Sequence, residues 1–282
     1  MASKLIDPRK FNSAVHAMRS FFKKKGFLEV HTQNALSILA ACEDPKTISK
    51  YEYSKSIWPL PQTGQMWLEH VLLDNPEIEG CFTVSTSYRD EPNPIPGRHD
   101  KIFPMFEFES KGNLSNLISL EEELLEHIGF DKQGNDSYPG EDYRDMMKKY
   151  KTDELEHEHE TKMNEDYGPV FFLKNFPYHT SPFWNMKKDG ETAAKVDVIL
   201  HGIETIGSAE RSCDKNEMKH QFETISDGQY SSLLYAQFGK SRVDDEMEKF
   251  LDRDFFPRYG GGIGVTRMIR AMELSNLIEK HS

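Results

Sequence analysis

The sequence YRDEPNPIPGRHDKIFPMFEFE occupies residues 88–109 and joins two apolar runs. The first run ends at Tyr88 and the second begins at Phe103, with three prolines and a cluster of charges between them. A plain β-hairpin needs only a few turn residues. The pattern therefore predicts an antiparallel hairpin whose long loop carries a function.

The sequence around this hairpin changes between helical and strand patterns without the regular alternation of βαβ units. Apolar residues spaced three and four apart in residues 7–25 predict an amphipathic helix with Asp7 as its N-cap. Similar patterns predict strands at residues 27–32, 169–177, 194–207 and 261–265 and helices at residues 118–130, 143–168 and 266–279. Strands embedded among helices in this way predict an α+β fold with an antiparallel sheet, built as one domain over residues 1–282.

Composition restricts the classes of partner. The 35 basic and 47 acidic residues give a net charge of −12, and a field of that sign repels polyanions such as nucleic acids. No apolar run is long enough for a membrane span or a signal peptide, so a cytoplasmic protein is predicted. The 3 cysteines, Cys42, Cys81 and Cys213, lack the spacing of a metal site or a disulfide framework.

The long loop carries residues that suit a nucleotide. Arg89 and Arg98 present guanidinium groups, whose donors match phosphate oxygens in pairs, and His99 follows Arg98 directly. Phe103 offers a flat face for a base, and Glu91 offers oxygens to an amine edge or a hydroxyl. Together these residues predict a site for a nucleoside triphosphate. The alternative is a set of surface ion pairs with Phe103 in the core.

Two acids, Asp197 and Glu204, lie in the segment VDVILHGIETIGSAER. A reversal of the chain at His201 and Gly202 would bring their carboxylates to one place, where they would suit Mg²⁺ on a triphosphate. Arg211 would point into the same cleft as a clamp for a carboxylate or a phosphate. The alternative is a pair of exposed acids on a hairpin.

Glycines dominate the segment YGGGIGVTRMIRAME, residues 259–273, which places Arg267 in the first turn of a predicted helix. Small residues at a strand-to-helix turn let a ligand approach the backbone closely. The segment matches neither the GxxxxGKS/T phosphate loop nor the GxGxxG dinucleotide pattern. Taken by itself, it is more typical of a tight connection with a surface arginine.

Considered together, these segments resemble the class II aminoacyl-tRNA synthetases. The helix at residues 7–25 is similar to motif 1, the charged loop to motif 2 and the glycine-rich segment to motif 3. The nearest likeness is to the aspartyl and asparaginyl branch, which has counterparts of QTGQMWLE, SPFWNMK and ETIGSAER. The matches keep the family's order and cover nearly the whole chain. The resemblance implies the class II fold, an antiparallel sheet flanked by helices.

The resemblance also implies a role for each matching residue. Arg89 would neutralise the α-phosphate of ATP and the attacking carboxylate, and Phe103 would stack on the adenine. The other residues facing the nucleotide would be Glu91 at the adenine, Arg98, His99 and Arg267 at the outer phosphates, and Asp197 and Glu204 at Mg²⁺. The amino acid would be read by Glu43, Gln65 and Arg211.

Several positions depart from the family pattern. Leu68 stands where aspartyl enzymes have a lysine, which favours the asparaginyl side. The acid usual before the stacking phenylalanine is Ile102, the proline of motif 1 is Gln33, and the acid before the last arginine of motif 3 is Thr266. These three departures loosen the expected geometry around ATP.

Motif 1 begins near residue 8, so the sequence is expected to lack the N-terminal OB-type domain that reads an anticodon in this branch. Together with the net charge of −12, this argues against a tRNA partner. The resemblance therefore implies a stand-alone asparagine synthetase of the archaeal type. Such a ligase activates the β-carboxylate of aspartate as an adenylate, lets ammonia displace AMP, and releases pyrophosphate. A homodimer is expected because motif 1 supplies the dimer interface in class II enzymes.

Two other functions stay open. One is a paralogue of the asparaginyl or aspartyl ligases that charges tRNA or another carrier. The other is a non-catalytic sensor of an amino acid or a nucleotide. The sequence also leaves open which carboxylate is activated and which amine accepts it.

The acidic segment ELEHEHE, residues 154–160, looks rich in metal ligands. His157 and His159 are two residues apart, however, and would point to different faces of a helix. The segment therefore predicts a solvated acidic surface.

Overall fold

The computed structural model describes residues 5–33, 36–37, 45–95, 98, 100–132, 134, 136–180 and 182–281. Its helices are α1 (Pro8–Lys24), α2 (Gln65–Asp74), α3 (Leu114–Ile128), α4 (Tyr143–Tyr150), α5 (His157–Tyr167), α6 (Lys215–Thr224), α7 (Gln229–Phe238), α8 (Lys240–Leu251) and α9 (Val265–Leu274). Its strands are β1 (Leu28–Glu29), β2 (Lys50–Tyr53), β3 (Ser56–Pro59), β4 (Gly80–Tyr88), β5 (Ile102–Lys111), β6 (Gly140–Asp142), β7 (Val170–Pro177), β8 (Lys188–Asp189), β9 (Thr192–Leu200), β10 (Ile203–Glu210) and β11 (Arg258–Gly264). Single 3₁₀ turns occur at Pro45–Thr47, Tyr178–Thr180, Ile225–Gly228 and Ile278–His281. Within those ranges, no helix has both the length and the apolar character needed to cross a bilayer.

The central sheet has the strand order β1-β4-β5-β11-β10-β9-β7-β6, with β8 attached to β9. Its pairs are antiparallel except for β1 with β4 and β6 with β7. β2 and β3 form a separate hairpin. The predicted α+β class is therefore confirmed. So is the hairpin at the quoted stretch, because β4 and β5 pair from Gly80 and Ser110 to Tyr88 and Ile102.

One face of this sheet carries an aromatic core. Phe82 of β4 and Phe106 of β5 stack with ring centroids 5.1 Å apart, and Phe22 of α1 packs on both rings. Helices α3 and α9 cover the rest of this face, with Leu117 and Met268 fully buried. Burying each large apolar side chain stabilises the fold by roughly 1.5–3 kcal/mol. This layer fixes the positions of the central strands.

Among the residues that the structure describes, helices cover the opposite face at its margins. Helices α6, α7 and α8 pack around Trp184, which is fully buried, and α4 and α5 pack on β7 and β9 around Phe171. Helix α2 buries Leu72 against Cys81 of β4. Polar and charged side chains therefore occupy the middle of this face, over β5, β11, β10 and β9.

Most of the predicted elements are present with shifted ends. Asp7 caps α1 as expected, because its Oδ1 accepts from the backbone N–H of Arg9 at 2.8 Å and of Lys10 at 3.2 Å. The strand predicted at residues 27–32 is confined to β1, and the closing helix ends at Leu274.

The single helix predicted at residues 143–168 is wrong. Lys151 has a φ of 54° and ends α4, and the chain resumes a helix only at His157. Helices α6 to α8 were not predicted at all. The apolar residues of α6 are sparse, since it buries only Met218 and Phe222. All three helices pack around Trp184, and that tertiary contact stabilises them.

Candidate active site

Two adjoining pockets open on the sheet face opposite the aromatic core. The first, here called the loop pocket, has among its lining residues Arg89, Glu91, Arg98, Phe103 and Arg267. The second, here called the inner pocket, has among its lining residues Gln65, Glu107, Lys195 and Arg211. Residues common to both are Arg89, Met105, Glu204, Gly207 and Gly262. The two pockets therefore share a wall.

Glycines form the floor of both pockets. Gly207 of β10 pairs directly with Gly262 of β11, so neither strand places a side chain there. A Cβ atom at Gly207 would lie 2.9 Å from Glu204 Oε1, and one at Gly262 would lie 2.6 Å from Met105 Cε. The glycine-rich segment thus keeps the cleft open and lets charged side chains lie close to the backbone.

Arg89 and Phe103 stand at the two ends of the β4–β5 loop. The backbone N–H of Arg89 donates to Lys101 O at 2.7 Å, which closes the base of the loop. The guanidinium carbon of Arg89 then lies 5.8 Å from the centre of the Phe103 ring, within cation–π range. Phe103 is half-buried in the pocket wall. Its ring leaves surface on which a flat ligand can stack.

Arg98 and Arg267 reach the loop pocket from distant parts of the chain. Arg98 donates from Nη1 to Gly202 O at 3.1 Å and from Nη2 to Glu160 Oε2 at 2.7 Å. Arg267 donates from Nη1 to Glu204 O at 2.7 Å and from Nη2 to Arg98 O at 3.3 Å. The two predicted phosphate-facing cations are therefore neighbours in one pocket.

Asp197 and Glu204 converge. The chain reverses at His201 and Gly202, whose φ angles are 48° and 73°. Asp197 pairs with Gly207 across β9 and β10, and the register shifts just after Glu204, which brings that residue to the same face. The Cβ position above Gly207 lies 2.9 Å from Glu204 Oε1 and 3.6 Å from Asp197 Oδ1. The two carboxylates thus meet over the glycine floor.

This pair of acids fits Mg²⁺, which uses one or two carboxylates and completes its shell with water and substrate phosphates. Each acid has a cation beside it, since Lys195 Nζ lies 3.2 Å from Asp197 Oδ2 and Arg267 Nη1 lies 3.7 Å from Glu204 Oε2. Burial opposes ionisation of Glu204, but Arg267, Lys195 and Arg89 outweigh it and hold its pKa below the ordinary value. Glu204 is therefore ionised, as a metal ligand must be.

Arg211 is the buried cation of the inner pocket, with only 2 % of its surface exposed. It donates from Nε and Nη2 to Glu109 at 3.1 and 3.3 Å, and its Nε lies 3.7 Å from Glu69 Oε1. The Gln65 amide lies against the Arg211 guanidinium, and its oxygen accepts from that group when the amide is turned toward it. Gln65 and Arg211 are therefore brought together.

A second buried ion pair lies behind Arg211. Arg258 donates from Nε and Nη2 to Glu69 Oε2 at 3.0 and 2.7 Å, and Asn185 donates to Glu69 Oε1 at 2.5 Å. Arg258 and Glu69 are completely buried. With Glu109, two guanidinium groups face two carboxyl groups, and burial raises the pKa of Glu109 to about 8 although Arg211 opposes that shift.

Glu107 connects the sheet to the start of α2. Its carboxylate accepts from the Gly64 N–H at 3.0 and 2.9 Å, from Ser85 Oγ at 2.6 Å and from the Thr63 hydroxyl. Burial raises the pKa of Glu107, although these hydrogen bonds oppose that shift. The contacts fix the helix end that carries Gln65.

Lys195 and Glu160 are among the residues of the site that were not predicted from the sequence. Lys195 lies on the same face of β9 as Asp197, and the two-residue spacing was the signal that could have revealed it. Glu160 belongs to the segment for which a solvated surface was predicted. That prediction is wrong for Glu160, because its carboxylate contacts Arg98 and the backbone of β10.

Two predicted residues, Glu43 and His99, lie outside the described residues. Leu68, whose identity favoured the asparaginyl side, is fully buried and packs with Leu72 and Cys81. Its side chain therefore belongs to the core beneath α2.

The family model for class II tRNA synthetases (D, K and N) matches residues 7–281. The chain is 22% identical over 290 residues to an aspartate–tRNA(Asp) ligase of Pyrobaculum aerophilum, covering 93% of this chain and 62% of the relative. It is 22% identical over 237 residues to an aspartate–tRNA(Asp/Asn) ligase of Methanopyrus kandleri, covering 75% of this chain and 54% of the relative. The chain thus spans little more than half the length of such relatives.

Among solved structures, the chain is similar to asparaginyl-tRNA synthetase of Pyrococcus horikoshii in complex with asparaginyl-adenylate. The TM-score is 0.76 with 21% identity, over 97% of this chain and 66% of that one. A putative aspartyl-tRNA synthetase of Leishmania major gives a TM-score of 0.73 with 17% identity, over 95% and 62% of the two chains. These likenesses confirm the fold.

Proposed function

Because the chain belongs to the class II tRNA synthetases of the D, K and N group, we propose that it activates aspartate with ATP to form aspartyl adenylate. The position of Arg89 carries this proposal, since Arg89 stands in the wall shared by the two pockets. A triphosphate in the loop pocket and a carboxylate in the inner pocket would therefore meet at one guanidinium.

The proposed step joins a carboxylate oxygen of aspartate to the α-phosphorus of ATP. The bond from that phosphorus to the bridging oxygen breaks, and its electron pair leaves with pyrophosphate. Negative charge on the phosphoryl oxygens would be stabilised by Arg89, which is held in place by the base of the β4–β5 loop. Loss of one such preorganised donor lowers a rate by about 10²–10³-fold.

The loop pocket would hold the nucleotide. Phe103 would stack on the adenine and Glu91 would accept from its amine edge, while Arg98 and Arg267, with His99, would bind the outer phosphates. The closeness of the two arginines, joined by a 3.3 Å hydrogen bond, supports this assignment.

Mg²⁺ held by Asp197 and Glu204 would offset the phosphate charge when bound.

The inner pocket supports an acidic amino acid as the substrate. Its wall contains three cations, Arg89, Lys195 and Arg211. Aspartate has two carboxylates, so one would be activated beside Arg89 and the other would bind Lys195 and Arg211. Gln65 would offer a pocket amide, and Glu43 would bind the ammonium group of the substrate. Leu68, whose identity favoured the asparaginyl side of the branch, is buried in the core, while Lys195 supplies an ammonium group to the pocket.

The acceptor of the aspartyl group is proposed to be tRNA, because the curated relatives are tRNA ligases by name. Ammonia-dependent synthesis of asparagine, which the sequence led us to expect, draws no support from those relatives. It remains the second candidate because a net charge of −12 favours a small acceptor over a polyanion.

Exchange of labelled pyrophosphate into ATP tests the activation step. Aspartate should drive exchange, asparagine should drive it far less, and Arg89→Met should lower it strongly. Arg19→Met is the matched control, because Arg19 pairs with Glu29 at the surface. The proposal would be overturned if neither aspartate nor asparagine drove exchange in the unaltered protein.

The two acceptors are distinguished by the product. The protein is incubated with aspartate and ATP, and then with either a tRNA(Asp) transcript or an ammonium salt. Aspartyl-tRNA would support the first acceptor, and asparagine with AMP would support the second.

We also propose that the protein is a homodimer. β1 is the last strand at one edge of the sheet, and its Leu28 is 51% exposed. No other strand of the described residues pairs with the outer edge of β1, and an edge strand with an exposed leucine favours a second copy as its partner. Sedimentation equilibrium should give twice the chain mass of 32.7 kDa, and Leu28→Asp should shift it to the monomer.

A further inference from the structure

Glu160 of α5 is the acid that approaches the loop pocket from outside the sheet. Helix α5 packs on β7 and β9, with Met163 fully buried in that contact. This packing holds Glu160 beside the start of β10, where only 22 % of its side chain is exposed.

One oxygen of Glu160 joins two separate parts of the site. Its Oε2 accepts from Arg98 Nη2 at 2.7 Å and from the backbone N–H of Glu204 at 2.8 Å. Arg98 is fixed a second time by its Nη1, which donates to Gly202 O at 3.1 Å. The Arg98 guanidinium is thus held at two points while it lines the loop pocket.

Arg267 closes this arrangement into a ring. Its Nη1 donates to Glu204 O at 2.7 Å and its Nη2 donates to Arg98 O at 3.3 Å. The Arg98 guanidinium pairs with the Glu160 carboxylate at 2.7 Å, and Arg267 Nη1 lies 3.7 Å from Glu204 Oε2. The ring is neutral as a whole, so Glu160 does not leave a net negative charge where a triphosphate would enter.

We propose that Glu160 is a positioning residue for the triphosphate, which holds Arg98 in the loop pocket before the nucleotide binds. This rests on the proposed function, because it takes the loop pocket as the site of ATP. An arginine side chain loses rotamer freedom when it binds phosphate, and prior fixation reduces that loss. Glu160 touches no substrate and acts through Arg98.

The test compares Glu160→Ala and Glu160→Gln with Glu158→Ala, a matched control whose carboxylate lies on the same helix and is 63% exposed. Affinity for ATP with Mg²⁺ is measured by isothermal titration calorimetry, and KM values for ATP and aspartate come from pyrophosphate exchange. Glu160→Ala should weaken ATP binding by about tenfold or more, as expected for a charge-assisted hydrogen bond, and leave the KM for aspartate unchanged. Glu160→Gln should recover most of the affinity, because its amide oxygen still accepts from Arg98.

A double variant separates positioning from general stability. If Glu160 acts through Arg98, then Arg98→Ala with Glu160→Ala should bind ATP no more weakly than Arg98→Ala alone. Any of three results would overturn the inference. The ATP affinity of Glu160→Ala could be unchanged or improved, or this variant could impair the use of ATP and of aspartate equally. The third result is a double variant in which the two losses of ATP affinity are fully additive. Binding of ATP without any exchange would instead count against the proposed function alone, and absence of ATP binding in the unaltered protein would overturn both.

Discussion

The two faces of the central strands carry opposite chemistry. On β5, Phe106 and Phe108 point into the aromatic core, whereas Glu107 and Glu109 point toward the pockets. β9 repeats the alternation, with Val196 in the core between Lys195 and Asp197. Because successive side chains of a strand leave on opposite sides, pocket-facing and core-facing residues alternate along β5 and β9.

The difference shows that charge on the pocket face serves two purposes. Glu69 and Arg258 pair with each other and are completely buried. Arg89, by contrast, lines both pockets where a ligand would bind. Variants of the first group should cost stability, and variants of the second should cost activity. The predictions below examine that division.

The largest effect is expected from Glu69→Ala. It leaves the Arg258 guanidinium buried without its carboxylate, and breaking a buried ion pair in this way costs about 3–5 kcal/mol. Urea unfolding should show that loss in the free energy of unfolding. The control is Glu273→Ala, which removes an exposed ion pair with Lys10 and should cost about 1 kcal/mol or less. Equal losses in the two variants would show that the buried pairs do not stabilise the pocket face.

Arg89→Met should behave in the opposite way. We expect kcat/KM for pyrophosphate exchange to fall by about 10²–10³-fold, while the free energy of unfolding changes by about 1 kcal/mol or less. A large loss of stability with little loss of rate would place Arg89 among the structural ion pairs.

Lys195→Met should give a smaller and more selective effect. Removing a charged donor from the inner pocket should lower kcat/KM for aspartate by about 10- to 100-fold and change the affinity for ATP much less. Lys188→Met, on the neighbouring strand β8 where Lys188 is exposed, is the control. An equal loss for ATP and aspartate would show that Lys195 acts through Asp197 instead of through the amino acid.

The last prediction concerns the core face, where Glu121 of α3 is fully buried. Burial raises its pKa from 4.5 to about 8, and the nearby Asp197 adds to the shift, although Ser208 opposes it. Since the folded pKa is above the unfolded one, the carboxyl contributes most to stability below the unfolded value of 4.5, and that contribution is lost as the pH rises through about 8.

Glu121→Gln should therefore flatten the pH dependence of stability. The free energy of unfolding is measured at about pH 5 and about pH 8, with Glu123→Gln as the control because Glu123 is exposed on the same helix. The unaltered protein and the control should lose stability toward pH 8 more steeply than Glu121→Gln. Parallel profiles would show that Glu121 titrates normally in the folded protein.

Local signals explain what could be predicted about the site. The β4–β5 hairpin and its loop followed from two apolar runs separated by prolines and charges, and the turn at His201 and Gly202 followed from a glycine within a strand pattern. Glu160 could not be found in this way, because 44 residues separate it from Glu204 and 62 from Arg98. The helix break at Lys151 was also missed, since no glycine or proline marks it.

By itself, the sequence determined the α+β class, the caps and turns, and the kinds of side chain available to a nucleotide and an acidic ligand, because periodicity and turn chemistry act over a few residues. Only the tertiary structure decided which charges are partners. Arg258 and Glu69 meet across 189 residues, and Arg98 and Arg267 across 169. Strand order and register set those meetings, and they are fixed by the packing of the whole sheet and not by any single segment.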